Sequence, residues 1–252
     1  MSPAPQHADG GFDEAWAAPG EPRAHYAALL DEFASVDVSM LRAALGFAMS
    51  EQGVTFGDHR FEVCPVPRLL TADEAARLAA GLEQRVRALN AFVADCYGER
   101  RIVAAGRVPE WIIDSSEGYE PALAGRWPGG APAIGVAGLD DEHVVKPRVG
   151  QGGGGVVVCA HATARDVRSC LAAVRERPER VRRQPLVSLS TVPTVVGDDL
   201  VPRHVDLRPF IFSAPTWTRV IPSGLTRVAL GEGALVVNSS QNGGGKVTWA
   251  LR

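Results

Sequence analysis

The 252-residue chain predicts an α+β fold with a helical N-terminal half and a mainly antiparallel-sheet C-terminal half. Three observations predict it. Apolar residues recur at helical spacing between Tyr26 and Val93, strand-like runs crowd the stretch after Asp141, and a proline-broken segment from Gly106 to Gly138 separates the two. With 46% apolar residues the chain can bury a real core. The organisation this implies is a flexible Ala/Pro/Gly-rich start over 1–22, a mostly helical region over 23–140 and a sheet-rich region over 141–252.

Tyr26, Leu29, Leu30 and Phe33 predict one short helix, and Leu41, Leu45, Ala48 and Met49 a second before Gly53. Val54 to Phe56 and Phe61 to Val63 predict a hairpin turning at Gly57-Asp58. The clearest helix starts at Thr71, whose hydroxyl can accept from the backbone N–H of Glu74 while that glutamate reaches back. Its stripe is Leu78, Leu82, Val86, Leu89 and Val93, and Gly98 is expected to end it in a left-handed conformation. In the broken segment only brief pieces such as Trp111 to Ile113 are expected to be regular.

Eight runs then look strand-like: His143 to Lys146, Gly155 to Cys159, Leu186 to Leu189, Val205 to Phe212, Trp217 to Ile221, Leu225 to Leu230, Leu235 to Asn238 and Val247 to Leu251. One helix interrupts them, capped by Thr163 and striped by Val167, Cys170, Leu171 and Val174. Its arginines Arg165, Arg168, Arg175 and Arg177 fit a solvated face or a patch for an anionic partner.

With 26 Lys and Arg against 29 Asp and Glu, the chain has no field to gather nucleic acid by counterion release, and no such partner is expected. Cys64, Cys96, Cys159 and Cys170 are scattered, without zinc spacing, which fits small buried side chains in a reducing, cytoplasmic setting. No apolar run is long enough for a membrane span or for export, so no membrane partner is expected either.

The pattern Gly150-Gln151-Gly152-Gly153-Gly154-Gly155 formally satisfies a dinucleotide fingerprint. That motif opens a helix, however, whereas Val156 to Cys159 continues as a strand. A P-loop needs its lysine after the glycines; Lys146 precedes them, and Gly245-Lys246 is followed by Val247. What remains is strand, lysine, glycine-rich hairpin, strand. Such a turn can fold backbone N–H groups over phosphates, and an ammonium about 4 Å from a phosphate gains roughly 4 kcal/mol at an effective dielectric near 20. A bare hairpin tip beside a surface lysine has the same pattern.

Lys146-Pro147-Arg148-Val149-Gly150-Gln151-Gly152-Gly153 resembles the lysine and glycine loop of the circularly permuted ATP-grasp type 2 family. Pro202 to Phe210, Gly224 to Leu230 and Val237 to Gln241 resemble its later signatures in order, and Val66-Pro67-Arg68, Gln84 to Asn90 and Asp95 to Gly98 its N-terminal region. The resemblance implies an ATP-grasp-like fold whose nucleotide-binding region is 141–252, and an ATP-dependent ligase that joins an acid to an amine through an acylphosphate. It implies ATP and Mg2+ as cofactors, with Lys146, Gly150, Gly152, Gly153, Gly154, Gly155, Gln184 and Arg203 binding nucleotide. Asp206 and Asn238 are the implied metal ligands, and Arg208 and Arg227 the implied stabilisers of charge in the transition state. Simpler roles exist: Asp206 and Arg208, two apart on one strand face, suit a structural ion pair, and Asn238 suits a turn.

One departure bears on function. Members of that family continue after the segment resembling Val136 to Asp140 into a Glu-Asp-Asn metal motif, whereas here Asp140 is followed by Asp141-Glu142-His143 and then the strand to Lys146. A central block that would carry the second metal carboxylate and much of the acceptor region is absent from this reading. Two consequences are expected. The chain is an active ligase or a non-catalytic nucleotide-binding module, with Asp140, Asp141 or Glu142 as substitute ligands in the first case; and a second copy or a partner protein covers a sheet edge that the missing block leaves open.

Overall fold

The computed structural model describes residues 11–56, 59–60, 62–116, 118–126, 144–147, 157–158, 163–176, 181–184, 188–214, 216–235, 237 and 243–252. Near the N-terminus β1 (Trp16–Ala18) and β2 (Glu21–Pro22) form a small hairpin before α1 (Ala24–Ala34) and α2 (Val38–Glu51). Next come β3 (Thr55–Phe56), β4 (His59–Arg60), β5 (Arg68–Leu70), the long α3 (Ala72–Tyr97), α4 (Arg101–Ala104) and α5 (Glu110–Asp114). After a 3-10 turn at Pro121–Leu123 follow β6 (Val144–Pro147), β7 (Val157–Val158), α6 (Ala164–Glu176), β8 (Val181–Gln184), β9 (Thr191–Val196), β10 (Asp199–Ala214), β11 (Trp217–Ala229) and β12 (Gly243–Ala250). The class is α+β, as expected. Among the described residues no single helix is long and apolar enough to cross a membrane.

Two compact units result, each discontinuous in sequence. The first holds the five-stranded sheet in the order β5-β12-β11-β10-β9, where β12 pairs antiparallel with β11 and parallel with β5. It also holds the three-stranded sheet β7-β6-β8. Its core is built where α1 and the start of α2 meet the sheet: Ala15, Tyr26, Leu30 and Leu69 form one cluster, Val38, Cys64, Val66 and Val195 a second, and Val192, Val205 and Val228 a third. Tyr26 is fully buried, and its hydroxyl accepts a 2.8 Å hydrogen bond from the backbone N–H of Leu69, which ties α1 to β5.

The second unit gathers Thr71–Val136 with Pro209–Pro222, the outer part of the β10–β11 hairpin. Its main element, α3, begins with the expected capping box: Glu74 N–H donates to the Thr71 hydroxyl at 3.3 Å, and Thr71 N–H to the Glu74 carboxylate at 2.9 Å. The end of α3 differs from expectation. Gly98 has φ −108°, and the left-handed residue is Arg100 at φ 53°. The cause lies in Asp95, whose carboxylate accepts from the N–H groups of Arg101 and Ile102 at 2.9 Å each and so starts α4 directly after Arg100. Those two backbone donors hold the Asp95 carboxyl below its usual range.

Other elements also shift. The expected hairpin over 54–63 shortens to Thr55–Phe56 and His59–Arg60, while Val63 forms a parallel bridge with Gly245. Trp111 to Ile113 form the brief regular piece expected there, as the short helix α5. Of the strand expected over Leu186 to Leu189, the first half lies outside the described residues; Ser188 and Leu189 lie in no strand, and the Leu189 carbonyl accepts from His204 Nδ1–H and the Ser190 carbonyl from Val205 N–H. Pro222-Ser223-Gly224, expected to separate two strands, run inside one, β11; its ladder with β12 begins at Ser223, so the proline lies just beyond it. Leu235 and Val237 lie outside any strand. The Thr163 cap of α6 is present, with Asp166 N–H donating to its hydroxyl at 3.2 Å.

Candidate functional site

The pleat of β10 sorts the candidate residues. Asp206 and Arg208 stand two apart on one face, while Arg203 lies opposite Val192 of β9, on the face where Val192, Val205 and Val228 pack. Arg203 donates from Nε to the Leu230 carbonyl at 3.0 Å and from Nη1 to the Pro202 carbonyl at 2.9 Å. In this structure its guanidinium therefore clamps backbone. Arg208 is exposed and makes no ion pair among the described residues.

Asp206 and Arg227 are brought together. Nε of Arg227 lies 2.9 Å from Oδ1 and 3.1 Å from Oδ2, and Nη2 donates to Oδ2, which makes a bidentate fork between β10 and β11. The ion pair foreseen within β10 between Asp206 and Arg208 gives way to this one across strands. With side-chain exposures of 27% and 17%, both partners are reachable from solvent yet partly desolvated. The expected metal ligand thus meets an expected charge stabiliser directly.

Lys146 and Gln184 occupy adjacent strands of the three-stranded sheet, with Lys146 opposite Arg182 and Gln184 opposite Val144. The loop residues Gly150, Gly152, Gly153, Gly154 and Gly155, the expected ligand Asn238 and the substitutes Asp140 to Glu142 lie outside the described residues.

A buried polar cluster went unforeseen. Arg68 donates to Glu14 at 2.8 and 2.6 Å, and Glu14 also accepts from the Ser190 hydroxyl. Lys246 is fully buried, donates to the Pro193 carbonyl at 2.5 Å and contacts Cys64; desolvation pulls its pKa down. On β12 it alternates with Gly244 and Thr248 on the buried face, and opposite it lies Thr226, whose hydroxyl meets that of Thr248 at 2.6 Å. The glycines before Lys246 looked like loop, which hid a strand period of two. Beside this cluster a cavity of about 510 Å³ is lined by Leu45 and Met49 of α2 and by Cys64, Val195, Val228 and Leu230; none of the candidate residues lines it.

Among the described residues no group of three His, Cys, Asp or Glu side chains is placed to hold a metal ion, and Arg227 already engages both oxygens of Asp206. Among the described residues Asp206 by itself does not make up a magnesium site.

The first unit carries an Asp–Arg fork between β10 and β11, an exposed arginine on β10 and a lysine on β6. The model of the family described as circularly permuted ATP-grasp type 2 matches residues 67–141 and 136–229, more than half of the chain, and the protein belongs to that family. It is similar to an uncharacterised protein of Mycobacterium leprae, 49% identical over 115 residues that make up 45% of this chain and 20% of that one. An uncharacterised protein of Synechocystis is 45% identical over 111 residues, 44% of this chain and 23% of its own length. A Frankia alni protein named "Putative glutamate--cysteine ligase 2-3" is 34% identical over 208 residues, 76% of this chain and 23% of that protein. In each case the match spans less than a quarter of the relative's length.

Proposed function

We propose that the chain is an ATP-dependent carboxylate–amine ligase, in which a carboxylate oxygen attacks the γ-phosphorus of ATP and ADP leaves. An amine then attacks the acyl carbon of the acylphosphate, and inorganic phosphate leaves as the nitrogen loses its proton. The observation that carries this reading is the grouping of Asp206, Arg208 and Arg227 on β10 and β11 in a chain of the ATP-grasp family. Phosphoryl transfer depends chiefly on positioning and on neutralising charge, and an exposed arginine beside a fixed Asp–Arg pair suits both tasks. Arg208 meets the transferring phosphoryl group, Lys146 the phosphates, and the loop from Gly150 to Gly155 covers them, with ATP arriving as its magnesium complex. The ligase name of the Frankia relative is consistent with amide formation from an amino acid. The substrates are a small acid and a small amine, and the setting is cytoplasmic.

A second reading is favoured by a specific observation. Arg227 occupies the Asp206 carboxylate, and no three-donor metal group is present among the described residues. A module that binds nucleotide without ligation accommodates both facts.

ADP release measured with ATP, magnesium and a panel of amino acids and amines separates the two. The ligase reading expects release that depends on both substrates and is lost in Arg208→Ala. The module expects ATP to raise the melting temperature with no release across the panel. An ATP-induced shift that persists unchanged in Lys146→Ala removes the module reading, and complete inactivity across the panel removes the ligase.

A further inference from the structure

We propose that Gly224 is a positioning residue for Arg208; the inference rests on the reading of Arg208 as a phosphate-facing residue. Gly224 is buried in the middle of β11 and is not among the residues with positive φ, so its backbone conformation is open to any side chain. Space is the constraint. A Cβ at this position would lie 2.9 Å from the carbonyl oxygen of Arg208 and 3.0 Å from Cδ1 of Leu207. The leucine can rotate aside, but the carbonyl belongs to the backbone of β10.

The neighbouring ladders decide which strand would give way. On one side Gly224 pairs with Thr248 of β12, and the next residue, Ser223, donates from its hydroxyl to the Thr248 carbonyl at 3.1 Å. On the other side the ladder of β10 with β9 ends at His204, so Leu207 and Arg208 lie beyond its support. An added methyl group therefore displaces β10 at Leu207–Arg208 rather than β11. Asp206 stays tethered to Arg227, and Arg208 moves relative to that fork. The missing Cβ thus sets where Arg208 stands against the Asp206–Arg227 pair, and positioning errors of this size are costly in phosphoryl transfer.

The test is a coupling measurement on the full chain with a non-hydrolysable ATP analogue, read by calorimetry. In the Gly224 background, Arg208→Ala is expected to weaken binding about tenfold, as loss of one charge-assisted phosphate contact does. In the Gly224→Ala background the same change is expected to matter less than about twofold, because Arg208 is already displaced. A Leu207→Ala/Gly224→Ala chain serves where Gly224→Ala alone folds poorly. It removes the side-chain contact and restores stability, but the carbonyl contact remains, so the Arg208 contribution stays lost; a purely structural role for Gly224 predicts that both return together. An Arg208 effect of the same size in all backgrounds overturns the inference alone. No Arg208 effect in the Gly224 chain overturns the reading of Arg208 as a phosphate-facing residue and this inference with it.

Discussion

The guanidinium of Arg227 grips both carboxylate oxygens of Asp206 across two strands of one sheet. Both side chains are partly buried, so removing one partner leaves a charge with neither water enough nor an opposite charge. Asp206→Ala and Arg227→Ala are each expected to lower stability by about 1–2 kcal/mol. The double variant should lose at least about 1 kcal/mol less than the sum of the two, as measured by urea denaturation. Strict additivity would show that the fork contributes nothing beyond its separate side chains.

The hydroxyl of Tyr26 is the acceptor for the backbone N–H of Leu69, and both residues are buried. Tyr26→Phe keeps the ring in the cluster of Ala15, Leu30 and Leu69 but strands that N–H. The expected cost is about 1–2 kcal/mol, chiefly the desolvation of an unmet donor. Amide hydrogen exchange at Leu69 localises the effect: faster exchange there, against unchanged exchange in α3, is the expected pattern.

Arg100 combines a left-handed backbone with a side chain bonded to Glu110 and Asp114 at 2.8 Å and to the Tyr119 hydroxyl at 2.9 Å. Two substitutions separate these effects. Arg100→Ala loses the partners and keeps the unfavourable backbone, whereas Arg100→Gly loses the partners and relieves it, a difference of about 1 kcal/mol. Thermal melts are expected to rank the native chain first, Arg100→Gly second and Arg100→Ala last. A glycine variant above the native chain would mean that the side-chain bonds contribute less than the backbone strain.

Signals confined to a few neighbouring residues were legible in the sequence. The Thr71–Glu74 box, the Thr163 cap and the helices α1 and α2 are set by hydrogen bonds and spacing inside one helical turn or two, and they stand where expected, although Leu41 and Ala48 of the α2 stripe stay exposed. Choices made by distant partners were not legible. Pro222 and Gly224 resembled a break until β12 supplied a ladder to β11, and Gly98 resembled a cap until Asp95 took the next two amides. Within the candidate site, the pairing of Asp206 with Arg227 rather than Arg208 follows from strand neighbours, which no local pattern encodes. Lys246 was missed for a related reason: a lysine after three glycines has the composition of a loop, yet burial on β12 makes it part of the core.

That burial has a pH signature. Lys246 has a folded-state pKa lowered below 10.5, first by desolvation, with Arg68 lowering it further and Cys64 and Glu14 opposing. Between the lowered value and 10.5 the unfolded chain binds more protons than the folded one, so unfolding free energy rises with pH through that window and levels off above it. Lys246→Met removes this term while keeping a side chain of similar length in the same slot. The stability of the native chain relative to Lys246→Met should therefore increase as pH is raised toward 10.5, because the native chain alone sheds the proton mismatch. Denaturant titrations of both chains at a series of pH values measure this, and other titrating groups largely cancel in the difference. A difference that stays flat across the series would mean that Lys246 binds its proton equally in both states, and burial would then not be what governs its charge.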